Sequence, residues 1–405
     1  MTMKRRSFLK GALALGAGAA LPLPRHALAA SKKELLLVST ASLSGAFAQQ
    51  GKYDEMGTRL AAMAVGGKVL GREITVFTVD TEGNAGKAVR KVKEAIEQKE
   101  ARFFNGGTLS SEGLAIGKEV AKVGGVYFTT VGADEVTGTE CNRSTFRWSV
   151  ATYGAIQQTV RPLIEMSPKA KRWYTITPEY VFGEALLRNA KDVFKEKGIE
   201  HVGNSYHSLQ EKEFSGHLTT AMAQSPDVLL ILNFGEQSSD TLRQAVSFGM
   251  KKKMQILLAW AAGLEQFRSL GPDVLEGAWL GAQYWHTVQA PGNLALVKVC
   301  REKYGINPSY PVAGNFAGAK LILDAVASAG TDDPAAVIKK LEGYKYDGPT
   351  GPEEIRAFDH QVVKDYYLLK GKAGSAMKDK DDFVEIVSSG KSFPTQQQSG
   401  CKMPA

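Results

Sequence analysis

From Glu34 onward the chain alternates short apolar runs with amphipathic stretches long enough for helices, and it does so in two successive series. Strands buried on both faces read as continuous apolar runs, and helices between them cover the sheet, so this pattern constrains the chain to parallel α/β architecture. The first series of strand candidates is Leu35 to Ser39, Ile74 to Asp80, Phe103 to Asn105 and Val126 to Thr130. A second begins after Phe146-Arg147-Trp148, with Arg172 to Thr177, Glu200 to Tyr206, Val228 to Phe234, Gln255 to Trp260 and Gly277 to Tyr284. Three helical patterns then follow without strands between them, Asn293 to Tyr304, Val312 to Ala329 and Asp333 to Leu341, before β character returns at Ile355 to Phe358 and Asp365 to Leu369. Helices appended after a second lobe most naturally complete the first. The expected organisation is therefore an α/β fold of two lobes with parallel central sheets: residues 30–151 with 290–350, residues 152–289 with 351–395, and a C-terminal tail over 396–405. The chain would cross between the lobes three times. Its length also exceeds what one hydrophobic core supports.

The first 29 residues carry no acid, open with Lys4-Arg5-Arg6-Ser7-Phe8-Leu9-Lys10 and continue into a small, apolar run from Gly11 to Leu23. The twin arginine reads as a Tat export address and Ala27-Leu28-Ala29 as a cleavage site, which puts the mature start near Ala30 in the periplasm. The run is too short and glycine-rich to span a bilayer. Of the formal charge of +8, five positive residues (Lys4, Arg5, Arg6, Lys10, Arg25) leave with this leader, so the mature chain keeps only +3. No basic run resembles a nucleic-acid track; Lys251-Lys252-Lys253 is a short solvated turn. Three cysteines in an oxidising compartment allow one disulfide. Cys300 falls in a helical pattern as a buried thiol, whereas Cys141 and Cys401 lie in polar, irregular segments and are expected to pair and pin the tail, although sequence does not fix connectivity.

Enzyme signatures are missing: no Gly-x-Ser-x-Gly elbow, His-Glu-x-x-His, Cys-x-x-Cys or P-loop occurs. His201, His207 and His217 have no metal-ligand spacing, and no cofactor is expected. In open α/β sheets, ligands bind outside the carboxyl ends of the strands, so the turns after the strands are the places to search. After the third strand comes Asn105-Gly106-Gly107-Thr108-Leu109-Ser110-Ser111-Glu112, where Ser110 or Ser111 would cap a helix from Glu112 to Val123. Such a helix start offers free N–H groups and hydroxyls suited to a carboxylate, although capping alone also accounts for serines there. Ser44-Gly45-Ala46-Phe47 after the first strand and Thr129-Thr130-Val131-Gly132-Ala133-Asp134 after the fourth combine glycines with polar groups in the same way. The second lobe places aromatics at its strand ends: Tyr180 and Phe182, Phe234, Trp260, and Tyr284-Trp285. These suit a cleft that encloses an apolar ligand body; ordinary core is the alternative for each.

The leader, the turn Ser44-Gly45-Ala46-Phe47-Ala48, the Gly-Gly-x-x-Ser-Ser turn, Gly132-Ala133 with Thr137-Gly138-x-x-Cys141-Asn142-Arg143 and Phe146-Arg147-Trp148, Tyr180-Val181-Phe182-Gly183 and Ser309-Tyr310-Pro311-Val312-Ala313 together resemble the Leu/Ile/Val-binding-protein-like, type I periplasmic binding proteins of branched-chain amino-acid ABC importers. The resemblance covers essentially the whole mature chain. It implies two Rossmann-like lobes joined by three hinge crossovers, a monomer that closes on a small-molecule ligand without catalysing anything, and the membrane permease subunits of the importer as partners. By residue-by-residue correspondence, Ser110, with Ser111 beside it, matches the serine that holds a ligand carboxylate, Ala133 and Asp134 match the next turn, to which Thr130 contributes, and Phe182 and Phe234 match aromatic wall positions. The chain departs at Trp260, where amino-acid-binding members carry an acid beside a glycine. A tryptophan does not neutralise an ammonium as a carboxylate does. With Tyr284 and Trp285 near, an aromatic or apolar carboxylate fits, while Asp134 keeps an amino acid or amide open. A ligand-sensing protein of a signalling system, for an amide, urea or an aromatic acid, and a Tat-exported enzyme are the alternative readings.

Overall fold

The computed structural model describes residues 34–403; the leader and its cleavage site lie outside the described residues. Strands β1 (Glu34–Ala41), β2 (Lys68–Val69), β3 (Arg72–Asp80), β4 (Phe103–Gly106), β5 (Val126–Thr129) and β6 (Thr145–Arg147) form one sheet in the order β2-β3-β1-β4-β5-β6. All its neighbours run parallel except the β2–β3 hairpin. Helices α1 (Ala48–Ala64), α2 (Ala85–Lys99) and α3 (Ser110–Lys122) connect its strands.

A second sheet follows, built from β7 (Arg172–Pro178), β8 (Glu200–His207), β9 (Val228–Ile231), β10 (Gln255–Leu258) and β11 (Trp279–Ala282). Between them run α4 (Thr152–Met166, ahead of β7), α5 (Val181–Lys197), α6 (Ser215–Ala223), α7 (Glu236–Ser247) and the short α8 (Leu264–Leu270) and α9 (Pro272–Leu275). Helices α10 (Pro291–Tyr304), α11 (Tyr310–Ala329) and α12 (Pro334–Leu341) return to the first sheet, α11 packing on α1, β4 and β5. Its apolar residues are buried almost all round, as expected of a helix inserted into a core. Residues 345–363 form a separate small antiparallel sheet of β12 (Lys345–Gly348), β13 (Gly351–Ile355) and β14 (Val362–Val363). Only from Tyr366 does the tail join the second sheet, as antiparallel β15 (Tyr366–Gly371) and β16 (Val384–Gly390) on its edge. β13 thus pairs with β12, and β14 with β13, rather than with the second sheet, because the tight β12–β13 turn makes a local hairpin the nearest partner.

Three chain passages link the sheets, and side chains lace them together. The Val150 amide donates to Gln283 Oε1 while Gln283 Nε2 donates to the Val150 carbonyl, both at 2.9 Å. Arg147 Nε donates to Gln361 Oε1 at 2.7 Å, and buried Lys364 donates to the Gln283 carbonyl at 2.7 Å over the face of Trp148. In each sheet the strand order reverses once, between β1 and β4 in the first and between β7 and β9 in the second. In doubly wound sheets such switch points open the ligand crevice at the strands' carboxyl ends. The turns after β1, β4, β7 and β9 are therefore where the topology puts a site.

Candidate ligand-binding cleft

On the first sheet, the turn after β4 is held by backbone contact. A side chain on Gly106, whose φ is 122°, would come within 2.1 Å of the Thr40 carbonyl, so only glycine lets β4 turn away beside the end of β1. Helix α3 then starts at Ser110, two residues earlier than the spacing suggested, with Leu109 as its N-cap. Leu109 has no side-chain acceptor, and Glu112 replaces one by reaching back to accept the Leu109 amide at 3.0 Å. The serines are thereby released from capping. Ser110 Oγ accepts the Ala133 amide at 3.1 Å, which ties the β4 turn to the β5 turn and leaves its proton to donate. Ser111 sits beside it, half-buried.

On the second sheet, Phe182 is the centre of an aromatic group. Its ring centroid lies 5.2 Å from Trp260, 5.9 Å from Tyr180 and 6.2 Å from Phe234, and the Trp260 and Phe234 contacts are edge-to-face. The group spans the cleft: a Cβ on Gly132 would sit 2.7 Å from both Phe182 and Trp260, so these rings press on the backbone beside Ala133. Trp260 also packs against Tyr310 at 6.1 Å, and the Tyr310 hydroxyl donates to the Thr130 carbonyl at 2.5 Å. Phe47, from the first sheet, makes the reciprocal contact, its ring 3.6 Å from where a side chain on Gly235 would be.

Beside these rings a cavity of about 160 Å³ lies between the sheets, lined by Phe47, Gln50 and Tyr53 on one side and by Gly235, Ser239, Arg243, Glu265 and Gln266 on the other. Gln266 Nε2 donates to Ser238 and Ser239 at 2.6 and 3.1 Å and fixes the start of α7. Glu265 exposes 8% of its surface, and burial pushes its carboxyl up to about 7.

Residues 39–376 match the model of the periplasmic binding protein family. The amino-acid ABC transporter substrate-binding protein of Pseudomonas fluorescens Pf-5 is similar at 60% identity over 92% of this chain and 99% of that one, with a TM-score of 0.88. The chain belongs to the periplasmic binding protein family. Residues 2–22 match the twin-arginine translocation signal, so this family member is exported to the periplasm. More distant members share the fold. A solute-binding protein of Rhodopseudomonas palustris solved with benzoate is 21% identical over 91% of this chain and 99% of that one, with a TM-score of 0.80. A leucine-binding protein of Thermotoga maritima is 20% identical over 88% of this chain and 98% of that one, with a TM-score of 0.76. Among curated proteins none matches.

Of the residues singled out from sequence, Ser110 bonds the Ala133 amide, Tyr180, Phe182, Phe234 and Trp260 form one aromatic group pressed on Gly132, and Phe47 lines the neighbouring cavity. The Thr130 carbonyl is taken by Tyr310 and Ser149. Asp134 is committed elsewhere: its carboxylate accepts from the Thr152 hydroxyl at 2.7 Å, the Tyr153 amide at 2.9 Å and Asn189 at 2.6 Å, joining the β5 turn to α4 and α5. Tyr284 and Trp285 stand apart. The Tyr284 hydroxyl donates to Asn293 at 2.5 Å, and Trp285 packs on Phe267 at 5.4 Å in the outer core of the second sheet. Both follow a strand whose end leads into a crossover, which turns their side chains into core. Sequence reading missed Tyr53, Glu265 and Tyr310. Cys141 and Cys401 form a disulfide with Cα atoms 5.6 Å apart, and Cys300 is a buried free thiol.

Proposed function

We propose that this protein is the substrate-binding subunit of an ABC importer and captures a small carboxylate-bearing ligand between its two sheets, performing no chemistry on it. The observation that carries this reading is that Ser110 bonds the Ala133 amide next to Gly132, the residue on which the Phe182 and Trp260 rings press. The ligand carboxylate would accept from the Ser110 and Ser111 hydroxyls and from the amides that open α3, where unpaired N–H groups and the helix dipole favour an anion. The rings would cover the apolar body. The lobes would be residues 30–151 with 290–350 and residues 152–289 with the tail from Tyr366, moving about the laced passages, and closure would present a joint surface to the permease. The kinship with the Pseudomonas protein supports the transport role.

A thermal-shift panel on refolded protein tests this, because a ligand of the folded state raises the melting temperature with the logarithm of its concentration over Kd. Shifts with benzoate, 3-phenylpropanoate, phenylalanine or leucine support it. Indifference to every carboxylate alongside a response to a neutral amide such as urea would reject it.

A further inference from the structure

Among the described residues the Glu265 carboxylate makes no ion pair, the nearby Arg268 and Arg243 being paired with Asp381 and Asp240. Among the described residues its Oε1 is buried and has no hydrogen-bond partner, and the nearest basic side chain on its own helix, Arg268, is already spent on Asp381 through bonds of 2.8 and 2.7 Å. The Ser309 hydroxyl beside it, 2% exposed, is also without a partner in hydrogen-bonding geometry. A carboxylate held out of water without a partner is costly, and proteins keep one where something else completes it. This one lines the cavity between the sheets, with Gln50 and Tyr53 facing it from the first sheet and Gln266 beside it.

We propose that Glu265, and not the residue at the end of β10, supplies the anionic half of the ligand site: it receives a cationic nitrogen of the ligand inside the interlobe cavity. The inference rests on the carboxylate-binding reading above and narrows the ligand to one that also carries an ammonium group. Trp260 fills the end of β10 with a ring packed on Gly132, Phe182 and Tyr310, so the charge that a zwitterion requires is displaced by five residues onto α8. The groups around Glu265 are Tyr53 of α1, Arg243 of α7 across the same cavity, Cys300 of α10, Ser309 before α11, Asp381 before β16 and Arg268 of α8. Two of these carry a fixed positive charge, and each is neutralised locally, Arg268 by its bidentate pair with Asp381 and Arg243 by Asp240 at 3.0 Å. Burial therefore dominates, and the empty-state carboxyl is part-protonated at neutral pH. An arriving ammonium favours the ionised form, so capture expels that proton. Affinity for an ammonium-bearing ligand should rise as pH rises through about 7.

Two pairs of probes separate the possible positions of the nitrogen. Phenylalanine against 3-phenylpropanoate tests an α-ammonium; 6-aminohexanoate against hexanoate tests a distal one. In titration calorimetry at least one ammonium probe should bind more than 10-fold tighter than its partner. Its binding heat should vary with the ionisation enthalpy of the buffer, reporting about half a proton released at pH 7. Glu265→Gln should erase both the preference and the proton release while leaving the affinity for the plain carboxylates within about 2-fold. Should that variant fail to fold, the wild-type pH profile decides: affinity for the ammonium probe climbs between pH 6 and 8 while that of its partner stays flat. Equal affinity within both pairs, or a preference that survives Glu265→Gln with its proton release unchanged, overturns the inference and leaves the carboxylate reading standing. Failure of all four probes overturns both.

Discussion

A methyl group on Gly132 is the smallest change that separates closure from folding in this molecule. Gly132 does not occupy the left-handed backbone region, so alanine is allowed there, and its carbonyl would still accept the Thr152 amide at 2.9 Å. The new carbon would nevertheless lie 2.7 Å from Phe182, at the start of α5, and from Trp260, in the turn after β10. Carbon atoms pack at about 3.5–4.0 Å, so the overlap is roughly 1 Å against two rings wedged among Phe234, Tyr310 and Tyr366. Overpacking of this kind costs about 1–3 kcal/mol. If the two sheets hinge apart, the strain is confined to the closed form. The unfolding free energy of the empty protein should change by less than about 0.5 kcal/mol, whereas ligand affinity, which is reduced by the lost fraction of closed protein, should fall about 5- to 150-fold. Titration calorimetry with whichever carboxylate stabilises the wild type, alongside urea unfolding of the empty protein, reads both quantities. A stability loss of several kcal/mol with affinity intact would refute the reasoning, since the rings would then be plain core against Gly132.

Two further expectations follow from the structure. Replacing Cys141 and Cys401 together by serine opens a loop with a sequence separation of 260 and should lower the unfolding free energy by about 2–4 kcal/mol; ligand affinity should hold, and a parallel loss of affinity would mean that the tail shapes the cleft. Asp54 is buried behind the cleft, where it accepts from Thr108 and Asn315 at 2.9 Å, and burial pushes its carboxyl up to about 8. A carboxyl raised above its unfolded value stabilises most below the unfolded pKa and loses that contribution as pH climbs toward the folded one, so wild type should lose stability relative to Asp54→Asn between pH 5 and 8, by up to about 1.4 kcal/mol per unit. A pH-independent difference in urea unfolding would show that Asp54 is ionised throughout.

The parallel sheets were legible because strands covered on both faces write themselves as continuous apolar runs, as in Val228 to Ile231, and each run ends where a turn must follow. The strand-end rule then led directly to Ser110, Phe182, Phe234 and Trp260. It could not say which way a residue points once the chain leaves its strand for a crossover, and this sent Tyr284 and Trp285 into core contacts. Nor does a turn announce how its polar groups are spent: Asp134 has the look of a ligand-binding acid, yet four donors from α4 and α5 already surround it. Glu265 was hidden for the opposite reason. One acid on a seven-residue helix reads as a solvated charge, and only the approach of α1 and the segment before α11, distant in sequence, takes it out of water. The separate sheet of β12 to β14 escaped notice because strands of two to five residues show too few alternations to reveal their partner.

The central claim, that a ligand carboxylate is held at the start of α3, is tested most directly by titrating wild type and Ser110→Ala in parallel with the carboxylate that gives the largest thermal shift. Loss of a hydrogen bond to a charged group costs about 1.5–3 kcal/mol, so Kd should rise about 10- to 150-fold, while the empty variant, whose buried Ala133 amide also loses its acceptor, should lose about 1–3 kcal/mol of stability. An unchanged Kd in a folded Ser110→Ala protein would contradict the account and move the carboxylate away from Ser110.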